Sequence, residues 1–248
     1  MRVAALYDIH GNLPALEAVL AEVKAAGVDL ILVGGDVMPG PLPRESLELL
    51  RTLDIPTRYI RGNGERAVLD CRAGRDLCEV PESFRECVRF NANQLDPALE
   101  SWIASWTSTW CEHIPGLGDV QFCHATPRSD SENFTRLTPE PLLAPVFPEL
   151  ESKIVICGHT HMPFDRMIGK VRVVNAGSVG MPFGKTGADW LLIGPDVGHR
   201  NTSYNLDQAA ERIRSTHYPL AREFAEKSVL DPPSEEDMLR VLTHASFR

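Results

Sequence analysis

Apolar positions in this chain follow two alternating rhythms. Short β-prone runs, VAALY (3–7), LILV (30–33) and TRYI (57–60), are separated by stretches in which apolar residues return every three or four positions. Leu16, Val19, Leu20 and Val23 stand at i, i+3, i+4 and i+7, one face of a helix that Asn12 is placed to cap and Gly27 to end. A loop rich in Pro and Gly then leads to a second helix over about 43–53. This β-α-β-α-β order is the grammar of an α/β sheet with helical crossovers.

Residues from about 65 to 113 break that rhythm. Phe84, Val88 and Leu95, then Leu99, Trp102, Ile103 and Trp106, look like amphipathic helices, and three of the four tryptophans fall here, which predicts a helical insertion capping one end of the sheet. The aromatic residues Phe84, Phe90, Trp102, Trp106 and Trp110 read as its core, with one or two at the rim of a pocket. Strand runs resume with DVQFC (119–123), KIVIC (153–157), VRVV (171–174) and WLLI (190–193). After Tyr204 the chain turns polar and helical, Pro232-Pro233 separates two helices, and Glu235-Glu236-Asp237 suits a first helical turn. The expected organisation is a single domain over 1–248, with the insertion and a helical C-terminal extension from about 205 to 248.

Composition sharpens this picture. At 43% hydrophobic the 248 residues can bury a sizeable core, and a formal charge of −9 repels polyanions such as duplex nucleic acid. A phosphate-bearing ligand therefore needs a local positive site. The first residues are too few for a signal peptide, no run approaches the ~18 apolar residues of a membrane span, and the six cysteines form no CxxC pair. A soluble cytoplasmic protein with reduced thiols is expected, and Cys123 and Cys157, inside apolar strands, read as core.

The chemistry is concentrated where strands end. Asp8 and His10 follow the first run, Asp36 the second, Asn63 the third, His124 the fourth, and His159 with His161 the fifth. In open α/β sheets the ligand crevice lies beyond the carboxyl ends of strands, so all seven side chains can face one crevice. Their i, i+2 spacing in Asp8-x-His10 and His159-x-His161 puts each pair on one side of an extended chain. Oxygen and nitrogen donors without thiolates suit Mn, Fe, Zn, Co or Ni. Seven ligands are too many for one tetrahedral ion but suffice for two cations ~3.5–4 Å apart, which activate a bridging hydroxide for in-line attack on phosphorus.

Asp8-x-His10, Gly35-Asp36, Gly62-Asn63, His124 and Gly158-His159-x-His161 resemble, in this order, the five-block signature of calcineurin-like metallophosphoesterases. Within that superfamily the compact bacterial and archaeal phosphodiesterase branch is the most similar, and the stretches 124–128 and 175–180 fit it too. The resemblance implies a four-layer αββα sandwich of two mixed sheets flanked by helices. It implies one cation held by Asp8, His10, Asp36 and His161, and another by Asp36, Asn63, His124 and His159, with Asp36 bridging. Asp36, Asn63 and His124 are the residues expected to serve catalysis most directly.

One position departs from the pattern. Many relatives carry a histidine after Gly-Asn that protonates the leaving oxygen, whereas here the stretch is Gly62-Asn63-Gly64-Glu65. General acid catalysis is worth ~10²–10⁴-fold, so weak turnover of alkyl monoesters is expected. Gly64 is also expected to open space beside the cations for a nucleoside, and Glu65 to point elsewhere. The favoured substrate is a small nucleotide-type phosphodiester. Alternatives are a dinucleoside polyphosphate, a phosphoprotein, or a non-catalytic metal-binding scaffold similar to the retromer subunit of this fold. Arg128, Arg61 and Asn12 are candidate substrate contacts, although capping already explains Asn12. No membrane partner is expected, and the oligomeric state is left open.

Overall fold

The computed structural model describes residues 1–147 and 151–244. Strand β1 (Val3–Leu6), helix α1 (Leu13–Ala26), β2 (Leu30–Val33), α2 (Pro43–Arg51) and β3 (Thr57–Tyr59) follow the predicted order. The helical insertion comprises α3 (Asn63–Arg72), a 3₁₀ turn (Glu82–Phe84), α4 (Arg85–Gln94) and α5 (Pro97–Ala104). Then come β4 (Thr109–Ile114), β5 (Gly118–Cys123), α6 (Glu140–Leu143), β6 (Ile154–Cys157), β7 (Phe164–Ile168), β8 (Val171–Asn175), β9 (Ala188–Ile193) and β10 (Val197–Thr202). Helices α7 (Leu206–Arg214) and α8 (Ala221–Phe224), a π-helical turn (Ala225–Leu230) and α9 (Glu235–His244) follow.

The strands form two mixed five-stranded sheets, ordered β10-β9-β1-β2-β3 and β4-β5-β6-β8-β7. In the first, β1, β2 and β3 run parallel; in the second, β5, β6 and β8 do. The alternation within β1 explains the layering, because successive side chains point to opposite faces. Val3, Ala5 and Tyr7 join Leu32, Phe122, Ile156 and Leu191 in a core between the sheets. Ala4 and Leu6 turn the other way, onto Leu16, Val19 and Val23 of α1 and Leu47 and Leu50 of α2. On the far face of the second sheet, Cys123, Val155 and Cys157 pack against Phe134, Leu143 and Phe147. Each fully buried Leu, Ile or Phe adds ~1.5–3 kcal/mol, so strands buried on both faces carry much of the stability.

The strands that sequence pattern missed are β4, β7 and β10, and all three are sheet edges. Each has a solvent-facing side with polar residues, so TWCEHI, FDRMI and VGHRNT lack a continuous apolar run. For the same reason the helical part of the insertion ends at Ala104, and the remainder of the expected 65–113 stretch contains most of β4. Residues 245–248 of the expected C-terminal extension lie outside the described residues.

Candidate metal centre

The parallel strands of both sheets deliver their carboxyl ends to one place, and the loops leaving them are zipped together. Asp8 N–H donates to Gly35 O at 3.1 Å, His10 N–H to Asp36 O at 2.9 Å, and Gly158 N–H to His124 O at 2.8 Å. These turns demand unusual backbone. Among the described residues, the non-glycine positions with positive φ are Asp8 (54°), His10 (47°), Asp36 (53°), His159 (68°) and His161 (58°). A left-handed L-residue costs about 1 kcal/mol or more, and such strain persists where surrounding structure fixes a site. Every one of the five belongs to the set singled out from sequence.

Two clusters result, Asp8 with His10 and His161, and Asp36 with His124 and His159, in each of which the ligating atoms lie within 4.8 Å of one another. Their hydrogen bonding leaves lone pairs facing lone pairs. His10 Nδ1 donates to Pro39 O at 3.0 Å and His161 Nδ1 to Met181 O at 2.9 Å, yet the two Nε2 atoms face each other at 3.2 Å. His124 Nδ1 donates to Gly34 O at 2.9 Å, and its Nε2 faces Asn63 Oδ1 at 3.1 Å and Asp36 Oδ1 at 3.5 Å. Asp8 Oδ1 and His159 Nε2 are buried with no protein hydrogen-bond partner. Because carbonyl oxygens only accept, each Nδ1 carries a proton, which leaves Nε2 of His10 and His161 as facing acceptors and turns Nε2 of His124 onto amide and carboxylate oxygens; a cation, in place of a proton at His124 Nε2, satisfies both groupings. The two clusters are thus positioned to chelate two divalent ions.

Electrostatics agree with this reading. Burial opposes ionisation of Asp36, but His124, His10 and His159 hold its carboxyl well below the usual carboxylate range. Burial would likewise discharge His124, yet the Asp36 and Asp8 carboxylates push its imidazole up to about 10. Burial and the neighbouring His124 bring His159 down to about 4.

Several supporting side chains were not assigned from sequence. Glu65, fully buried, accepts four backbone N–H bonds: Asp36 and Gly62 on Oε2, both at 2.8 Å, and Val37 and Met38 on Oε1 at 2.7 and 3.1 Å. It thereby clamps the Asp36 loop to the start of α3, where Gly64 N–H donates to Asp36 Oδ1 at 2.7 Å. Burial and the Asp36 charge push the Glu65 carboxyl up to about 7, while its backbone donors pull the other way. Ser178 Oγ donates to Asp8 O at 2.7 Å, and Asn175 Nδ2 to Gly158 O at 2.6 Å, so the end of β8 and the loop after it prop the turns that follow β1 and β6.

The space expected at Gly64 is open on one side, where the residue lines a cavity beside His10, Asp36 and Asn63, but closed in the direction a side chain would take. A Cβ on Gly64 would meet Met38 O at 2.1 Å and Pro39 Cδ at 2.9 Å, because the loop after β2 has closed over that position. A cavity of about 380 Å³ has His10, Asp36, Asn63, His159 and His161 in its floor and residues of the C-terminal helices above. A second, of about 570 Å³, shares His10, Asp36 and Asn63 and extends to Arg66, Glu79 and Ser131. Arg61 and Arg128 line neither; with Arg66 they surround an adjoining depression, where Arg128 is paired to Glu132 at 2.6 Å. Asn12 is fully buried, its Oδ1 accepting from Ala15 N–H at 3.2 Å and its Nδ2 donating to Gly180 O at 2.9 Å. Its amide caps α1 and is already in use.

Comparison with known proteins agrees with the fold. The crystal structure of a hypothetical protein, PH1004, from Pyrococcus horikoshii superposes with a TM-score of 0.78 at 19% identity, covering 94% of this chain and 99% of that one. A metallophosphoesterase from Sphaerobacter thermophilus superposes at 0.71 with 26% identity, covering 91% and 99%. The uncharacterized protein MJ0912 of Methanocaldococcus jannaschii is 28% identical over 197 residues, 73% of this chain and 76% of that protein. Residues 1–194 match the calcineurin-like phosphoesterase superfamily domain. With that match spanning the strand ends that carry the clustered ligands, the chain belongs to the calcineurin-like phosphoesterase superfamily.

Proposed function

We propose that this protein hydrolyses a small nucleotide-type phosphodiester. One cation would be held by Asp8, His10, Asp36 and His161 and the other by Asp36, Asn63, His124 and His159, with Asp36 bridging. When bound, the pair supplies Lewis acidity toward a phosphoryl group and activates water as the nucleophile. The protein's own part is positioning: Glu65 and Ser178 hold the ligand loops, and the Gly64 N–H and the start of α3 orient the Asp36 carboxylate.

The observation that carries the preference for a diester is the makeup of the two cavities. No uncompensated cationic side chain lines either one among the described residues, since Lys227 is paired with Glu223 and Arg66 with Asp130 and Glu79. A phosphodiester brings one negative charge, a monoester closer to two, and only the former matches a site whose positive charge comes from the two cations alone. Glycine at position 64 also supplies no general acid, which favours leaving groups that need no proton. The missing general acid, and not the charge balance, supports a dinucleoside polyphosphate as the second reading, because its leaving group is already acidic. Arg61 and Arg128 are proposed to meet the outer end of the substrate through the depression that adjoins the metal groove at Arg66.

The test is direct. Protein stripped of metal and reloaded with Mn, Ni, Co or Zn is offered an aryl diester, an aryl monoester, cyclic nucleotides and a dinucleoside polyphosphate. The diester is expected to turn over faster than the monoester under the best metal. Preference for the monoester would overturn the substrate reading, and no hydrolysis under any metal would leave a metal-binding scaffold.

A further inference from the structure

The 380 Å³ cavity has a floor of metal-ligating side chains and a roof that lies outside the matched superfamily domain. That roof is built by the C-terminal helices. Glu223, Phe224, Lys227 and Ser228 all reach the cavity from α8 and the π-helical turn, at i, i+1, i+4 and i+5. Wider winding in a π-turn shifts the side-chain register, and such turns recur at functional sites. The opposite side of the same segment, Ala225 and Val229, packs with Ala210 and Ile213 of α7. The roof is therefore an anchored wall.

Its surface is apolar and aromatic, with few polar groups. Phe183 stacks on the His161 ring, centroids 5.2 Å apart at 25°, so an aromatic face stands immediately beside the metal ligands. Phe84, 47% exposed, faces it together with Tyr218, Phe224 and Met238. Ser228 is 4% exposed, and its hydroxyl has no hydrogen-bond partner among the described residues. The Glu223–Lys227 pair, 3.0 Å apart, offers an acceptor and a donor without net charge.

We propose that this cavity receives the nucleobase of the substrate, with Phe183 as the stacking face and Ser228 and the Glu223–Lys227 pair meeting the edge of the base. An alkyl chain would use the aromatic walls and leave the three polar groups idle, and a second phosphate would find no uncompensated cation there. A flat heterocycle with donors and acceptors on its rim uses both. The inference rests on the phosphodiesterase reading for its substrate class, and it places the choice of substrate in residues after 205 together with Phe183.

Adenosine 5′-monophosphate and ribose 5-phosphate share a phosphate and a sugar and differ in the base. Each is titrated as an inhibitor of aryl diester hydrolysis by metal-loaded protein, and by calorimetry as a direct ligand. The nucleotide is expected to bind about 10-fold tighter, as base stacking on an aromatic face implies. Phe183→Ala is expected to remove most of that ratio and Ser228→Ala about threefold of it, with metal content unchanged. A ratio near one in the wild type, a ratio untouched by both variants, or tighter binding of octyl phosphate than of the nucleotide would overturn the proposal. If the aryl diester is not hydrolysed at all, the phosphodiesterase reading fails on its own, and the calorimetric ratio still decides the fate of the cavity.

Discussion

The floor and the roof of the cavity solve different physical problems. In the floor, each of Asp8, His10, Asp36, His159 and His161 sits in left-handed backbone, and hydrogen bonds at short range fix the loops that carry them. Carboxylates and imidazoles are packed together there as largely buried side chains. In the roof, Tyr218, Phe224 and Met238 meet the cavity through apolar surface, and the supporting contacts are those of an ordinary helical core. A centre that holds cations tolerates little displacement, so it is over-determined; a wall that selects a flat group needs only shape. Substitutions should therefore be costly and chemical below, mild and selective above.

The largest expected effect is on the bridge. Asp36→Asn removes the negative charge of the carboxylate that sits with His124 and His159 and is proposed to bridge the two cations, so turnover is expected to fall by ~10³-fold or more. Metal content by mass spectrometry should fall with it. Retained activity would remove Asp36 from the centre and erase the contrast with the roof. Next comes Glu65→Ala, which strips four buried backbone donors of their acceptor. Unsatisfied buried donors are costly, and a loss of about 4 kcal/mol in urea denaturation of the metal-free protein is expected, against ~2 kcal/mol for Glu65→Gln. Equal stability of all three proteins would mean that the clamp is not what holds the loops.

Those two residues also mark how far the sequence could be read. Asp36 was legible because metal chemistry restricts residue type and because it follows an apolar strand. Glu65 was visible as a letter but not as a clamp, since three of its four partners are backbone amides 27 to 29 positions away. The doubly buried strands announced themselves by continuous apolar runs, whereas β4, β7 and β10 at the edges did not. The roof was hardest. Tyr218, Phe224 and Met238 look like core residues in a helical pattern, and only their placement over His10 and His161 gives them another meaning. Of the five insertion aromatics read as core with one or two at a pocket rim, Phe84 lines the cavity and, largely exposed, is not a core residue.

Gly64 tests whether the missing imidazole is a simple trimming. A Cβ there would sit 2.1 Å from Met38 O, backbone that cannot step aside cheaply. Gly64→His is therefore expected to cost ~2 kcal/mol in denaturation and to confer no monoester activity. A stable variant with raised monoester turnover would show that the loop yields and that the floor is softer than its bonding suggests.

A smaller effect follows from His124. Its folded pKa of about 10 lies above the ordinary 6.5, so in metal-free protein it contributes stability that is full below pH 6.5 and is lost as pH rises toward 10. A bound cation takes the place of that proton. The gap in unfolding free energy between loaded and metal-free protein, read from urea denaturation, should thus widen from pH 7 to pH 9, by at most ~1.4 kcal/mol per pH unit. The buried thiols of Cys123 and Cys157, whose pKa values are raised by burial, affect both forms alike. A constant gap would contradict the exchange of proton for metal.

The smallest effect is expected outside both regions. Arg128 is half exposed and already paired with Glu132, and its depression touches the metal groove only through Arg66. An exposed pair of this kind contributes at most ~1 kcal/mol. Arg128→Ala should leave stability and turnover number nearly unchanged and raise KM for a nucleotide diester by about threefold, with no change for a compact aryl diester. A large loss of turnover number would bring Arg128 into contact with the reacting phosphate and make this depression, rather than the aromatic roof, the wall that matters.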